Sequence, residues 1–247
     1  NVYAGFVSFN SEFEGFSYMV GLRGEYMDRF LDQKTLSETY SFEQMDYFPS
    51  INISRKIDDH QLQLGYSKRI NRPNDNMLNP FAFYSDPNIT ISGNPALKPE
   101  YIDALELNYQ KMYGSVFVSV QSYYRKSKDS FSQTFAVDNS GKLNIMFDNY
   151  GNSDVYGADI STSFPVAEIF KFDPALNLYQ THLDGKVNGE SIIKDFFNWS
   201  ARLNATVNFS ADSRFQLSAN YMKFIDAQSE SEPFMMVSAS LRQDFLD

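Results

Sequence analysis

From Phe197 to Phe209 the chain alternates without exception. Its odd positions, Phe197, Trp199, Ala201, Leu203, Ala205, Val207 and Phe209, are apolar, and Asn198, Ser200, Arg202, Asn204, Thr206 and Asn208 between them are polar. An amphipathic helix would mix the two classes on each face, so the period of two predicts a strand with one apolar and one polar side. Aromatic rings close both ends of the apolar side and small aliphatic residues fill its middle. That is the profile of a lipid-facing band between two aromatic girdles.

The same pattern recurs along 16–26, 62–66, 116–120, 156–164 and 215–221, and in weaker form along 2–9, 47–55, 101–111, 169–181 and 234–246. Eleven strands are predicted in all, most of them close to the ~9–11 residues that a tilted membrane strand needs. Charge respects the alternation. Arg23, Glu25, Glu106, Asp159, Arg202 and Arg242 fall on polar sides, where a water-filled lumen would hydrate them. Asp103, Lys126 and Lys223 break the rule only at strand ends, where the cost of a charge facing lipid falls toward zero.

The connections alternate too. Short turns fall near 10–14, 56–60, 111–114, 165–168 and 210–213, and long connections near 27–46, 70–99, 127–151, 182–195 and 226–233. In an up-and-down meander this places every long loop at one end, as in outer-membrane barrels with short periplasmic turns and long extracellular loops. A Greek-key sandwich has no reason to keep that asymmetry. Within the long connections, 128–150 reads as a hairpin around Asp138-Asn139-Ser140-Gly141, and Asp184-Gly185 and Asn188-Gly189 mark turns. Residues 27–46 read as a charged loop with room for a short helix. The expected fold class is therefore all-β, an antiparallel up-and-down transmembrane β-barrel segment.

Composition sharpens this reading. The 247 residues have a mean hydropathy of −0.40, an ordinary value for a soluble chain, yet they include 23 Phe, 16 Tyr and 1 Trp. Averaging the two sides of each strand hides a continuous apolar surface. A net charge of −10 argues against a nucleic-acid backbone binder, and the absence of cysteine removes disulfides, thiolate metal sites and thiol catalysis. No apolar run is long enough for a transmembrane helix, and no signal-peptide pattern is visible.

At Gly65-Tyr66-Ser67-Lys68-Arg69-Ile70-Asn71-Arg72-Pro73 a strand ends in basic residues and Arg-Pro. Leu78-Asn79-Pro80-Phe81 and Tyr84-Ser85-Asp86-Pro87 follow, and the loop closes in Gly93-Asn94-Pro95-Ala96-Leu97-Lys98-Pro99-Glu100. This combination resembles the barrel of TonB-dependent outer-membrane receptors and the outer-membrane β-barrel family related to them. The resemblance implies a receptor of about 22 strands, plugged by an N-terminal domain. Such a receptor sits in the Gram-negative outer membrane and imports a scarce substrate (iron chelate, vitamin, glycan or peptide). Its implied partners are outer-membrane lipid and the energy-coupling TonB complex, engaged through the plug, with a surface lipoprotein as a further candidate. Here the plug is absent, and the chain stops at Asp244-Phe245-Leu246-Asp247 without the terminal aromatic strand of such proteins. Residues 1–247 therefore read as one partial barrel domain from the C-terminal half of a longer receptor.

Candidate sites are few. Lys68, Arg69 and Arg72 could contact an anionic ligand at the pore mouth, or anchor the loop base by ion pairs. Phe81, Phe83 and Tyr84 could form a stacking platform for a sugar, or pack the loop onto itself. Gly93, Asn94, Pro95, Leu97, Lys98, Pro99 and Glu100 read as architectural, since two prolines fix the backbone and Gly93 permits a turn. His60 and His182 lack an acidic cluster of ligand spacing, so no metal or other cofactor is expected. No nucleophile elbow occurs, so no catalytic residue is expected. Two rivals remain. A soluble β-rich adhesin or carbohydrate-binding module predicts two packed sheets. An outer-membrane hydrolase would draw on His182 near Asp184.

Overall fold

The computed structural model describes residues 1–34, 37–210 and 212–245, with Ser85 described by its backbone alone. The strands are β1 (Val2–Phe13), β2 (Phe16–Gln33), β3 (Glu38–Ile57), β4 (His60–Asn71), β5 (Phe83–Asp86), β6 (Ile89–Ser92) and β7 (Glu100–Tyr113), then β8 (Val116–Val137), β9 (Leu143–Pro165), β10 (Phe170–Val187), β11 (Glu190–Asn208), β12 (Ser213–Lys223) and β13 (Phe234–Gln243). The one helix among the described residues, α1, spans Asp75–Leu78. Thirteen strands form one sheet. Eleven of them run in the order β1-β2-β3-β4-β7-β8-β9-β10-β11-β12-β13, each antiparallel to its neighbours. This is the meander of eleven read from the alternation, with β5 and β6 added inside the connection after β4.

Register fixes the two faces. Leu178 pairs with Ala158 and Trp199, and Ala201 pairs with Leu176 and Tyr221. The apolar positions of successive strands thus line up on one side. Leu62, Leu64, Leu105 and Leu107, on adjacent strands, are each 44–48% exposed there. The soluble rival required such a face to meet a second sheet. Among the described residues every strand belongs to a single sheet, and this face is bare.

The small core lies on the opposite, polar face near the long-loop end. Met27, Phe48, Ala104, Tyr123 and Leu183 are buried there together with Leu78 and Leu97 from the connection after β4.

Two of the expected long loops are corrected, and a third is the hairpin that was expected. Strands β2 and β3 run on through most of 27–46 and pair from Met27↔Gln44 to Gln33↔Glu38, with no helix among the described residues of that stretch. Thr35 and Leu36 lie outside the described residues, as do Ala211, within the expected 210–213 turn, and the terminal Leu246 and Asp247. The hairpin expected at 128–150 is present, its strands pairing up to Val137↔Leu143. Between β10 and β11 the turn is Asn188-Gly189, both with positive φ (52° and 83°), the preferred geometry of a two-residue hairpin. Asp184-Gly185 is no turn and lies inside β10. Alternation fades along these extensions because water can reach both of their faces, while the backbone ladder continues regardless.

Gly185 has another role. It pairs with Gly151 at the end of the β9–β10 ladder, and a Cβ on it would stand 1.5 Å from the carbonyl oxygen of Tyr150. Beyond this crossing β9 leaves β10 and pairs in parallel with β6.

Candidate functional site

The connection 72–99 folds over the polar face and spans from β2 to β9. Asn74 starts α1, its side chain accepting from the Met77 amide at 3.1 Å. The chain returns on itself through Gly93 N to Asn79 O (2.7 Å) and Asn94 N to Met77 O (2.7 Å). A Cβ on Gly93 would lie 2.6 Å from both the Asn79 and Met77 carbonyl oxygens, so this close approach requires glycine. Pro95 and Leu97 offer their carbonyls to Arg29 of β2, at 3.5 and 3.0 Å. Leu97 and Pro99 are fully buried. Lys98 is gripped through its backbone by Asn149 of β9, and Glu100 accepts from Ser130 (2.8 Å) and Asn71 (3.1 Å).

A second connection does the same further along the sheet. Asn198 of β11 donates to Ile225 O (2.8 Å) and accepts from Ile225 N (2.5 Å). Gln228 clasps Phe135 of β8 in the same two-way manner, and Lys194 donates to Asp226 O at 3.0 Å. Residues 225–228 thus strap β8 to β11. A cavity of about 290 Å³ lies beneath, lined by Thr134, Tyr150, Ser153, Tyr179 and Thr181 among others.

Between these covers the wall carries two charge triads. Glu25 bridges Arg72 (2.5 Å) and Arg23 (3.1 Å). Glu106 lies between Arg69 (3.5 Å) and Arg125 (3.7 Å), and Arg125 also stacks over the Tyr123 ring at 4.1 Å. Asp46 accepts from Gln44 and from Tyr101. Each triad holds two guanidiniums against one carboxylate, a local excess of positive charge in an acidic chain.

The sequence candidates separate on this geometry. Arg69 and Arg72 join the polar wall, but Lys68 pairs with Asp103 on the apolar face. Phe81 lines a cleft of about 320 Å³ with Leu31, Tyr40 and Pro95. Phe83 and Tyr84 are exposed on β5 and line no part of it. Sequence reasoning placed Arg23, Glu25 and Glu106 on the polar side but missed Arg29, Asn149 and Asn198, which hold the covers. Their partners lie 27 to 68 positions away, and no local spacing signals them. His182 bonds to Asp195 at 2.8 Å rather than to Asp184, and among the described residues no hydroxyl bonds to it. His60 contacts Tyr109 and Lys111 at the short-turn end.

The chain that builds this bare apolar face and charged wall matches one family model, the outer membrane protein beta-barrel family, over residues 1–247. The chain belongs to that family. It is a strand-spanning protein of the Gram-negative outer membrane, and its polar face lines the barrel lumen.

Solved structures share the fold. The copper transporter OprC aligns with a TM-score of 0.69 at 13% identity, over 96% of this chain and 39% of its own. The siderophore receptor PirA from Acinetobacter baumannii gives 0.62 at 14% identity over 100% and 40%, and the FrpB iron transporter from Neisseria meningitidis gives 0.58 at 11% over 89% and 32%. The chain thus spans about two fifths or less of these proteins. No match was found among curated proteins.

Proposed function

We propose that the chain is part of a TonB-dependent receptor barrel. In this reading it binds a scarce substrate at the extracellular mouth and admits it with energy from the inner-membrane TonB complex, relayed through a plug domain. The carrying observation is the lumenal wall at the long-loop end. Its Arg–Glu–Arg triads stand under two covers that are pinned to the barrel by side chains rather than left as free loops. A passive pore would gain nothing from covering its own mouth. The open edges of β1 and β13 support a longer barrel, because unpaired strand edges in lipid cost several kcal/mol per unsatisfied amide.

Family resemblance allows an iron chelate, vitamin, glycan or peptide as substrate. The transporters sharing the fold make metal chelates the first class to try. Uptake by the full-length protein is measured in cells with and without a working TonB complex. The reading expects saturable uptake that is lost with the complex. Equal uptake in both strains, proportional to concentration, would overturn it.

A further inference from the structure

One line of side chains on the lipid-facing side is neither apolar nor random. The register pairs Lys68 with Asp103, Asp103 with Lys126, Lys126 with Asp154, Asp154 with His182, and His182 with Asp195. Six ionisable residues thus stand side by side across β4 and β7 to β11. The basic and acidic groups alternate along the whole line. Two residues nearer the membrane runs the row Tyr66, Leu105, Tyr124, Tyr156, Gln180 and Phe197. The charged row therefore borders the extracellular aromatic girdle, where lipid headgroups begin.

Alternating charges usually neutralise one another, but here only His182 and Asp195 are in contact, at 2.8 Å. Among the described residues no carboxylate lies within 4.0 Å of the Lys68 or Lys126 ammonium. Asp103 and Asp154 are taken by tyrosines of the row below. Tyr66 donates its hydroxyl to Asp103 at 2.6 Å, and Tyr124 repeats the arrangement with Asp154. Lys68 instead rests 5.7 Å from the Tyr101 ring centre. Two ammonium groups are left unneutralised on strands either side of β7, ~10 Å apart by strand spacing. They face a layer whose headgroups carry phosphate.

We propose that Lys68 and Lys126 form a binding site for the phosphate-bearing headgroup of an outer-leaflet lipid, with Asp103 between them limiting its affinity. The tyrosine bonds preserve the site: by holding the carboxylates they keep the lysines free for phosphate. Asp103 remains a fixed negative charge beside the bound anion. Its removal should therefore tighten binding, whereas a purely structural row would be weakened by the same change.

The test uses the full-length receptor in non-ionic detergent, with lipid occupancy read by native mass spectrometry. Short-chain phosphatidic acid is the probe and the matching diacylglycerol its unphosphorylated control. Lys68→Gln with Lys126→Gln should weaken phosphatidic acid binding on the order of tenfold and leave diacylglycerol unchanged. Arginine at both positions should restore binding. Asp103→Asn should bind several-fold tighter, and this arm stands even if the double variant folds poorly. Wild-type binding by the glutamine variant, weaker binding by Asp103→Asn, or displacement of the lipid by equimolar inorganic phosphate would each overturn the proposal.

Discussion

Asn149 and Lys98 meet through two hydrogen bonds across 51 positions: the Lys98 amide donates to Asn149 Oδ1 at 2.9 Å, and Asn149 Nδ2 donates to the Lys98 carbonyl at 3.1 Å. Asn149 Nδ2 also donates to the carbonyl of Asp129. One side chain thus fastens the end of the 72–99 cover to β9 and braces β8 at Asp129, where the β8–β9 pairing shifts register. Replacing it by leucine leaves polar backbone groups unpaired, a loss of about 1–3 kcal/mol. The barrel ladder does not depend on it. Limited proteolysis of the Asn149→Leu protein should therefore cut within 72–99 about tenfold faster or more, with unchanged cleavage of the short turns.

Glu25 is 5% exposed and holds two guanidiniums. Glu25→Ala leaves Arg72 without its carboxylate in a partly buried site, which should cost about 2–4 kcal/mol, allowing for the water that still reaches Arg72. The urea midpoint of the refolded barrel would fall accordingly. Pairing Glu25→Met with Arg72→Leu should recover most of the loss, because both buried charges are then gone.

Gly185 sits where β9 and β10 part. Gly185→Ala forces a methyl group into the Tyr150 carbonyl, and no side-chain rotation relieves a clash with backbone. The altered protein should assemble in low yield and lose heat-modifiable migration, while Gly189→Ala, with nothing within 4 Å of its added Cβ, should assemble and pay only the strain of its positive φ.

At the tip of the β8–β9 hairpin, Asp138 accepts from the Ser140 hydroxyl and from the Ser140 and Lys142 amides, which hold its carboxyl down at about 2. A depressed folded value means the turn is supported above the ordinary aspartate range near 3.9 and loses that support as pH falls toward 2. Carbon NMR of labelled aspartate should find one carboxyl still ionised at pH 3, and Ser140→Ala should raise its titration midpoint.

What the chain reveals in advance follows from physical range. Lipid imposes a period of two on every membrane strand, so residues such as 197–209 declare both their strand and its lipid face. Outside the membrane that constraint lapses, and the upper halves of β2, β3, β10 and β11 read as loop although their ladders continue. Asp184-Gly185 carries the composition of a turn, but its glycine serves a backbone crossing. The lumenal site was half visible: Arg69 and Arg72 stood out as a basic pair, whereas their partners Glu106 and Glu25 are set by register. Lys68 adjoins Arg69 in sequence and faces the other way for the same reason.

The central claim is that one face of this sheet meets lipid and the other water. Single spin labels placed at each position from 197 to 209 of the full-length protein in bilayers measure it directly, through collision with oxygen and with a water-soluble nickel chelate. The account predicts that odd positions favour oxygen, most strongly near Leu203, and that even positions favour nickel. Equal accessibility of both sets, or nickel reaching Leu203 as readily as Asn204, would contradict it.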